Sequence, residues 1–302
     1  MTQNNKSPLH FGITPADTKH CQLQQTQKKD EWHYHLKIND GAKLTESIII
    51  RGTSANQHPI HLSIEVGQNT QVDLIEHWEG VSKSKVDLNM TLKAGSHAKV
   101  RYIALQSDEE TENWQEKRQT HAEEGAKIDL FLFHFGAQSI TSQTEQNAQG
   151  RHAQIETWIT SRRRKSQTMK LNYQHRFHNR EGGGKAHLQG VALDEGQLEM
   201  KGNIWIGQKG GGTDTHLQEK ALNLSPKATV NALPGLEANT NDVKAGHSAA
   251  VHNLNPEQLI YLQTRGLDAE ESRRLMMEGF LKNGLRALKD LPAVYDKIHQ
   301  LI

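Results

Sequence analysis

A weak internal repeat constrains the fold of this 302-residue chain more than any other feature. Short segments begin with a glycine and continue as alternating polar and apolar residues, at 67–75, 95–103, 125–131 and 150–158. Recurrence at roughly 25 to 30 residues is typical of solenoid turns, each with a corner that glycine permits and one inward row of side chains. The repeat therefore predicts a mainly β fold, a right-handed parallel β-helix (β-solenoid), rather than a β-sandwich.

The composition agrees with a thin, elongated core. Hydrophobic residues make up 34% of the chain and aromatic residues 5%, and each solenoid turn needs only a few inward side chains. Strand-like alternation runs over residues 43–252, which we interpret as the β-helix core. Residues 1–42 are polar and Gln-rich, so they predict a short, flexible or weakly helical N-terminal lead-in.

The apolar period becomes helical in the last fifty residues, so 253–302 is predicted to be a C-terminal helical region. Asn255 and Pro256 predict the first helix start, Gly266 its end, and Asp268 the N-cap of a second helix. The apolar face of that second helix is predicted to hold Leu275, Met276, Gly279 and Phe280. A third helix is expected from Pro292 to Ile302. We expect the helices to cover the strand edges at the end of the solenoid.

Charge and cysteine content argue against several classes of protein. A net charge of +1 argues against a nucleic-acid or anionic-membrane surface, and we interpret the basic run 162–165 as a solvated turn. Cys21 is the only cysteine, so the chain forms no intrachain disulfide and cannot supply the four thiolates of an ordinary iron–sulfur cluster. An N-terminus without an apolar segment, and the lack of any long apolar run, predict a cytoplasmic protein.

Eighteen histidines and two glycine clusters invite site hypotheses. His33 and His35 would share one strand face and could form half a metal site, but no carboxylate or thiol partner is identified, so ordinary polar residues are the preferred interpretation. His175 and His178 are predicted to flank a corner. The clusters 182–184 and 210–212 lack both Walker A order and a G-x-G-x-x-G turn, so no nucleotide site is predicted.

Several longer motifs resemble those of a known family. They are Gly190-Val191-Ala192-Leu193-Asp194, Lys201-Gly202-Asn203-Ile204, Thr213-Asp214-Thr215-His216-Leu217-Gln218, Asn241-Asp242-Val243-Lys244-Ala245-Gly246-His247 and the helical segment 257–267. Together they are similar to the SufB/SufD family of iron–sulfur cluster assembly proteins, and closer to SufD than to SufB. The resemblance covers roughly residues 43–285 and implies a β-helix scaffold rather than an enzyme.

The resemblance implies roles for particular residues. His247 corresponds to a family histidine near the interface between two β-helix subunits, and is a possible ligand of iron or of a cluster. Ala245 stands where SufD has a thiol, Ser248 where SufB has a glutamate, and Glu219 where SufB has its sulfur-accepting cysteine. These departures imply that no cofactor is stably bound, and that any Fe–S cluster or iron would be transient and shared with a partner subunit.

The resemblance also implies partners. One is a SufC-type ABC ATPase held on the helical region, and the other is a SufB-like subunit or a second copy of the chain, held on the terminal strands. An amphipathic helix with apolar anchors and a charged rim is a general way to hold such a partner. The implied ATPase-binding residues are Leu259, Tyr261, Leu262, Arg265, Gly266, Arg274, Leu275, Met276 and Phe280.

Two alternatives stay open on the sequence. One is a β-solenoid carbohydrate-active enzyme, with acid and base chosen from Asp194, Glu195 and Glu199, although a convincing aromatic sugar platform is lacking. The other is a homodimeric scaffold with no cluster role.

Overall fold

The computed structural model describes residues 7–53, 58–79 and 85–302. The strands are β1 (Leu9–Gly12), β2 (Cys21–Lys28), β3 (Glu31–Ile38), β4 (Ile48–Thr53), β5 (Ile60–Val66), β6 (Gln71–Glu79), β7 (Lys85–Ala94), β8 (Lys99–Gln106), β9 (Asn113–Ala122), β10 (Lys127–His134), β11 (Ser139–Ala148), β12 (Gln154–Arg163), β13 (Thr168–Phe177), β14 (Gly183–Ala192), β15 (Gln197–Ile206), β16 (Thr213–Asn223), β17 (Thr229–Ala232), β18 (Gly235–Ala238) and β19 (Val243–Asn253). The helices are α1 (Pro256–Thr264), α2 (Ala269–Leu281) and α3 (Pro292–Leu301), with 3₁₀ segments at Thr18–His20 and Lys282–Leu288.

The strands form two long sheets, and successive strands of the chain contribute alternately to each, so that each turn adds one strand to both sheets. Sheet A has the order β1-β4-β6-β8-β10-β12-β14-β16-β19. Sheet B has the order β17-β15-β13-β11-β9-β7-β5-β3-β2, and β18 also pairs with β15. Every pairing along the middle of both sheets is parallel. The structure therefore confirms a mainly β fold, built as a parallel β-solenoid with a short helical region at its C-terminal side.

The sequence repeat corresponds to strands stacked in sheet A. Paired positions in β6, β8, β10, β12 and β14 lie 27 to 29 residues apart along the chain. Val72, Val100, Ile128 and Ile155 stack in register and are buried, so the alternation in the repeat is the inward row of each turn. The interior is thus assembled from one short row of side chains for each strand.

The repeat glycines serve two different purposes. Gly125 has a φ of +62°, the left-handed conformation that a corner requires. Gly67 and Gly150 do not have a positive φ, and glycine is required there because the preceding turn is close. A Cβ added at Gly67 would lie 2.4 Å from the Asp40 nitrogen, and one added at Gly150 would lie 2.0 Å from the Glu124 nitrogen. In other turns, the position equivalent to Gly125 adopts the left-handed conformation with a residue other than glycine, such as His97.

The N-terminal lead-in is a correction to the sequence analysis, because residues 9–12, 21–28 and 31–38 form strands rather than a flexible or weakly helical segment. Residues 1–6 of the predicted lead-in lie outside the described residues. β3 continues sheet B with Trp32, Tyr34, Leu36 and Ile38 buried, and β2 folds back on it as an antiparallel hairpin. The period-2 alternation of β3 was present in the sequence. The Gln-rich composition of β2 concealed it, because β2 is an outer strand with mostly exposed side chains.

The basic run 162–165 is a second correction, since only its end at Lys165 is an exposed turn. Arg162 and Arg163 lie inside β12, and Arg163 is fully buried. The Arg163 guanidinium donates hydrogen bonds to the backbone carbonyls of His134 at 2.6 Å and Gly136 at 2.9 Å. Burial, together with neighbouring Arg162, lowers the pKa of Arg163 to about 9. The arginine ties consecutive turns together from within.

The helices lie along the outer face of sheet A and do not cover its end, which corrects the expected capping role. Outward residues of the sheet and inward residues of the helical region form a second apolar core: Ile103, Leu105, Phe131, Phe133, Phe135, Val191, Leu222, Leu224, Met277, Leu281, Leu285, Leu288, Ile298 and Ile302. Polar anchors fix this packing, including an Arg101–Asp290 ion pair at 2.8 Å and a hydrogen bond of 2.5 Å from Arg162 to the Leu301 carbonyl.

Both predicted N-caps are confirmed. Asn255 accepts a hydrogen bond from the Glu257 nitrogen, and Asp268 forms a capping box with Glu271. The expected apolar face of α2 is rotated, however: Met277 and Leu281 are buried, while Leu275 stays 47% exposed. The sequence could not show which stripe of α2 faces the sheet, because apolar residues occur on both sides of the helix.

Candidate functional site

The last turn of the solenoid leaves its inward face uncovered within the described residues. β19 is the outermost strand of sheet A and pairs with β16 on one edge. Its inward row lies in register over that of β16, where the paired positions are mostly buried. The β19 row consists of Val243, Ala245, His247, Ala249 and Val251. These side chains are half-buried or exposed, and Val251 reaches 43%, because no further turn stacks on them.

Sheet B ends at the same level with short strands. β17 and β18 both pair with β15. Leu233, which lies between these two strands, is 55% exposed, and Leu236, which lies in β18, is 39% exposed. Both sheets therefore present unpaired strand edges and apolar side chains at one end of the molecule. We call this surface, formed by β17, β18 and β19, the open end. Such an end is a ready template for a second chain.

His247 lies in the middle of the open end. It is in register with buried Leu217 and its side chain is exposed. On the other face of the same strand pair, Ser248 lies 3.2 Å from Nε2 of His216. No group of three His, Cys, Asp or Glu ligand atoms in the described part of the chain includes His247. Its imidazole is accessible, but the described residues supply it with no complete ligand set.

Glu219 lies directly beneath Ala249 and is fully buried. One carboxylate oxygen accepts a 2.6 Å hydrogen bond from the Gly202 nitrogen, and the other has no hydrogen-bond partner. Burial raises the pKa of Glu219 to about 7, although the hydrogen bond from the Gly202 nitrogen opposes this rise. A carboxyl group poised between its charged and neutral forms thus lies one layer below the open end.

A groove separates the helical region from the edge of sheet A. Two connected cavities of about 480 Å³ and 680 Å³ share Leu222, Asn255, Gln258 and Phe280 in their walls. The implied ATPase-binding residues surround it unevenly. The groove is lined by Tyr261, Leu262, Met276 and Phe280. Exposed positions are Arg274 and Leu275 on α2, and Arg265 and Gly266 at the end of α1. Leu259 is half-buried.

The exposed part of α1 includes a residue that the sequence analysis missed. Ile260 is 59% exposed, next to Tyr261 at 57%. The Arg265 guanidinium lies 5.3 Å from the Tyr261 ring centre, which fixes an aromatic and a cation side by side. Exposed isoleucine and tyrosine on one short helix give the helical region an apolar surface of its own.

A charged network fills part of the solenoid interior, and sequence reasoning missed it as well. Arg118 is fully buried and binds Glu76 through two hydrogen bonds of 2.6 and 2.8 Å and Glu116 through one of 2.9 Å. Tyr102 donates to Glu76, and His134 lies 2.8 Å from Glu116. Trp78, Trp114 and Ser142 donate the remaining hydrogen bonds. The only signal in the sequence was that these charged residues occupy the alternate strand positions that face inward.

The electrostatics of this network favour a structural role. Burial alone would raise the pKa of Glu116, but Arg118 and His134 outweigh it and hold that pKa well below its usual range. The Glu116 carboxylate is therefore ionised, and both carboxylates are multiply hydrogen-bonded and closed off from solvent. Such a network joins β6, β8, β9, β10 and β11 in one arrangement.

The remaining sequence candidates have structural partners. His175 is buried inside β13, 3.1 Å from the Ile155 carbonyl oxygen, and burial lowers its pKa to about 3. His178 lies past the strand end and contacts Asn147 at 2.9 Å. Asp194 forms a corner and accepts a hydrogen bond from the Lys165 nitrogen, while Glu195 pairs with Lys227 at 3.0 Å. Glu199 is exposed on β15.

The fold and these surfaces define a β-solenoid with one open end and a helical region packed along its side. Residues 48–280 match the family model described as SUF system FeS cluster assembly, SufBD core domain. The match covers most of the chain, so the chain belongs to the SufBD core family. No helix in the described ranges is long and apolar enough to span a membrane.

Similar proteins come from distant organisms. A protein called ABCI7, chloroplastic, from Arabidopsis thaliana is 36% identical over 103 residues, which is 34% of this chain and 22% of that protein. An iron–sulfur cluster assembly SufBD family protein of Pyrococcus horikoshii is 34% identical over 121 residues, 36% of this chain and 26% of that one. The iron–sulfur cluster assembly protein SufD of Escherichia coli is 29% identical over 100 residues, 33% and 24% of the two chains. The matched segments thus span about a quarter of these relatives.

Proposed function

We propose that this chain is a SufD-like, non-catalytic scaffold subunit of the SUF iron–sulfur cluster assembly machinery. Family membership supports the role in the SUF system, and the presence of SufD proteins among the similar sequences supports the SufD-like assignment. The observation that supports a scaffold function is the open end, where two parallel sheets stop with apolar side chains and strand edges exposed. A surface of this kind is completed by a second chain.

The proposed partner at the open end is a SufB-like subunit or a second copy of this chain. Pairing there would cover Val251, Leu233 and Leu236 and would place a second set of side chains beside His247. His247 would then act as one ligand of iron or of a transient cluster, and the partner would supply the others. Ala245 carries no ligand atom, so within this row the histidine is the metal-binding group.

The proposed partner on the helical region is a SufC-type ABC ATPase. The groove lined by Tyr261, Leu262, Met276 and Phe280 offers a cavity of about 680 Å³ whose walls are mostly apolar, and exposed Ile260 and Leu275 extend it. Arg265, Arg274 and Glu257 give this surface a charged rim. Apolar anchors inside a charged rim match the anatomy of protein interfaces. Nucleotide chemistry would then reside in the partner.

Co-purification with the SufC-type ATPase of the same organism tests the docking surface. We expect the wild-type chain to form a defined complex, and the double variant Tyr261→Asp, Leu275→Asp to lose it, because both side chains are exposed and their replacement spares the core. Leu23→Asp is the matched control, since Leu23 is also exposed but lies on β2 at the far end of the solenoid. Undiminished binding by a folded double variant would disprove the docking surface.

A further inference from the structure

The far end of the solenoid from His247 carries a compact group of two histidines and a glutamate. His33 on β3 and His61 on β5 are paired in register, and their imidazole rings stack 4.6 Å apart at an angle of 10°. Glu31 precedes His33 by two residues, so its side chain lies on the same outward face of β3. Glu31 is the carboxylate partner that the sequence analysis did not find for His33; His35, its expected neighbour, is not part of the group.

The distances within this group suit a metal ion better than a hydrogen bond. The Glu31 carboxylate oxygen Oε2 lies 3.4 Å from His33 Nε2 and 3.5 Å from His61 Nε2. Ligands bound at about 2.0 to 2.1 Å in a tetrahedron lie about 3.4 Å from one another. All three ligand atoms lie within 4.8 Å of one another, so a small rotation of the half-exposed imidazoles completes the geometry.

The environment of His61 adds an independent observation. Its Nε2 atom is shielded from solvent and has no hydrogen-bond partner, although the side chain as a whole is partly exposed. A shielded, unpaired nitrogen directed at a carboxylate is unfavourable unless something bridges the two groups. A cation between the imidazoles and the carboxylate would satisfy all three polar atoms at once.

We propose that Glu31, His33 and His61 form a binding site for a divalent first-row transition-metal ion. Two imidazoles and one carboxylate suit zinc, iron(II) and similar ions, whereas magnesium and calcium prefer oxygen ligands alone. Three protein ligands leave at least one position for water or another ligand. The site joins the first two parallel strands of sheet B, and it does not depend on the scaffold function or on His247.

Titration of the metal-free, full-length protein with Zn²⁺ and with Co²⁺ tests this site. We expect about one equivalent to bind, with Mg²⁺ failing to compete and the melting temperature rising as Zn²⁺ is added. Glu31→Gln, His33→Gln and His61→Gln should each reduce Zn²⁺ affinity more than about tenfold. The matched control is His35→Gln, on the same face of the same strand, which should bind Zn²⁺ as the wild type does.

A chemical measurement on the unmodified chain checks the same site without substitutions. Zn²⁺ should protect His33 and His61 from imidazole acylation and leave His35 reactive. Equal Zn²⁺ affinity of the wild type and the Glu31→Gln, His33→Gln, His61→Gln triple variant would overturn the proposal. Protection of His35 to the same degree as His33 would do so too, because it would indicate nonspecific binding to surface histidines.

Discussion

Single residues in this chain show how strongly position inside a solenoid changes the chemistry of a side chain. Glu76 and Glu116 are buried and pair with Arg118, whereas Glu195 forms an exposed ion pair with Lys227. Removing one partner of a buried pair typically destabilises a protein by about 3–5 kcal/mol, while an exposed pair contributes about 0–1 kcal/mol. The interior network is therefore a strong determinant of which turns stack together.

Glu219 makes the stability of the open end depend on pH. Its pKa of about 7 lies above the ordinary value of 4.5, so the folded chain retains a proton that the unfolded chain has released between about pH 4.5 and pH 7. Stability contributed by neutral Glu219 is fully present below about pH 4.5 and decreases as the pH rises through about 7.

The variant Glu219→Gln should remove this dependence. A glutamine oxygen can still accept from the Gly202 nitrogen, and it carries no charge to bury. We expect the variant to be more stable than the wild type at pH 8 by on the order of 1–3 kcal/mol, because it avoids burying a charge, and to match it near pH 5. Urea denaturation at both pH values measures this, with exposed Glu195→Gln as control. Equal differences at both pH values would contradict it.

At the scale of elements, the helices contribute by covering sheet A from the side. The strands beneath them are apolar on both faces, as in the run 130–133 of β10, where Leu130 and Leu132 face inward and Phe131 and Phe133 contact the helices. That continuous apolar run was the sequence signal for a covered sheet face. The sequence analysis instead places the helices at the strand edges, because the end of a solenoid generally needs a cap.

Two leucines of α2 should therefore respond differently to truncation. Leu281 is fully buried against the outer face of sheet A, whereas Leu275 is 47% exposed. We expect Leu281→Ala to lower the free energy of unfolding by about 2–5 kcal/mol and Leu275→Ala by no more than about 0.5 kcal/mol. Chemical denaturation of both variants tests the difference. A similar loss for both would show that the helix is packed on its other stripe.

At the scale of the whole molecule, the repeat predicted the solenoid because stacking in register preserves the spacing of inward residues such as Val72 and Val100. The position of His247 in the last strand followed from the motif. What the sequence could not show is that this strand is uncovered, because exposure of the row depends on where the helices go. The Glu31, His33 and His61 group was equally hidden, since β3 and β5 become neighbours only after a full turn.

The open end predicts that the chain pairs. Light scattering should find a dimer of this chain, or a one-to-one complex with a SufB-like subunit. Val251→Lys with Leu236→Lys should reduce either complex to folded monomers, because both side chains are already exposed in the single chain. Leu23→Lys, at the opposite end, is the control and should leave pairing unchanged. A wild-type chain that remains monomeric alone and beside a SufB-like subunit would contradict this prediction.

The antiparallel strands at the opposite end limit what such pairing can build. β1 and β2 run against their neighbours β4 and β3, and the exposed side chains of β2 are mainly polar, with Leu23 as the apolar exception. A second copy that docked its open end there would meet reversed strands and place apolar side chains against polar ones. Head-to-tail stacking into a fibre is thereby disfavoured, and contact between two open ends is an isologous arrangement that closes after two chains. The solenoid thus limits its own polymerisation through the direction of two short strands.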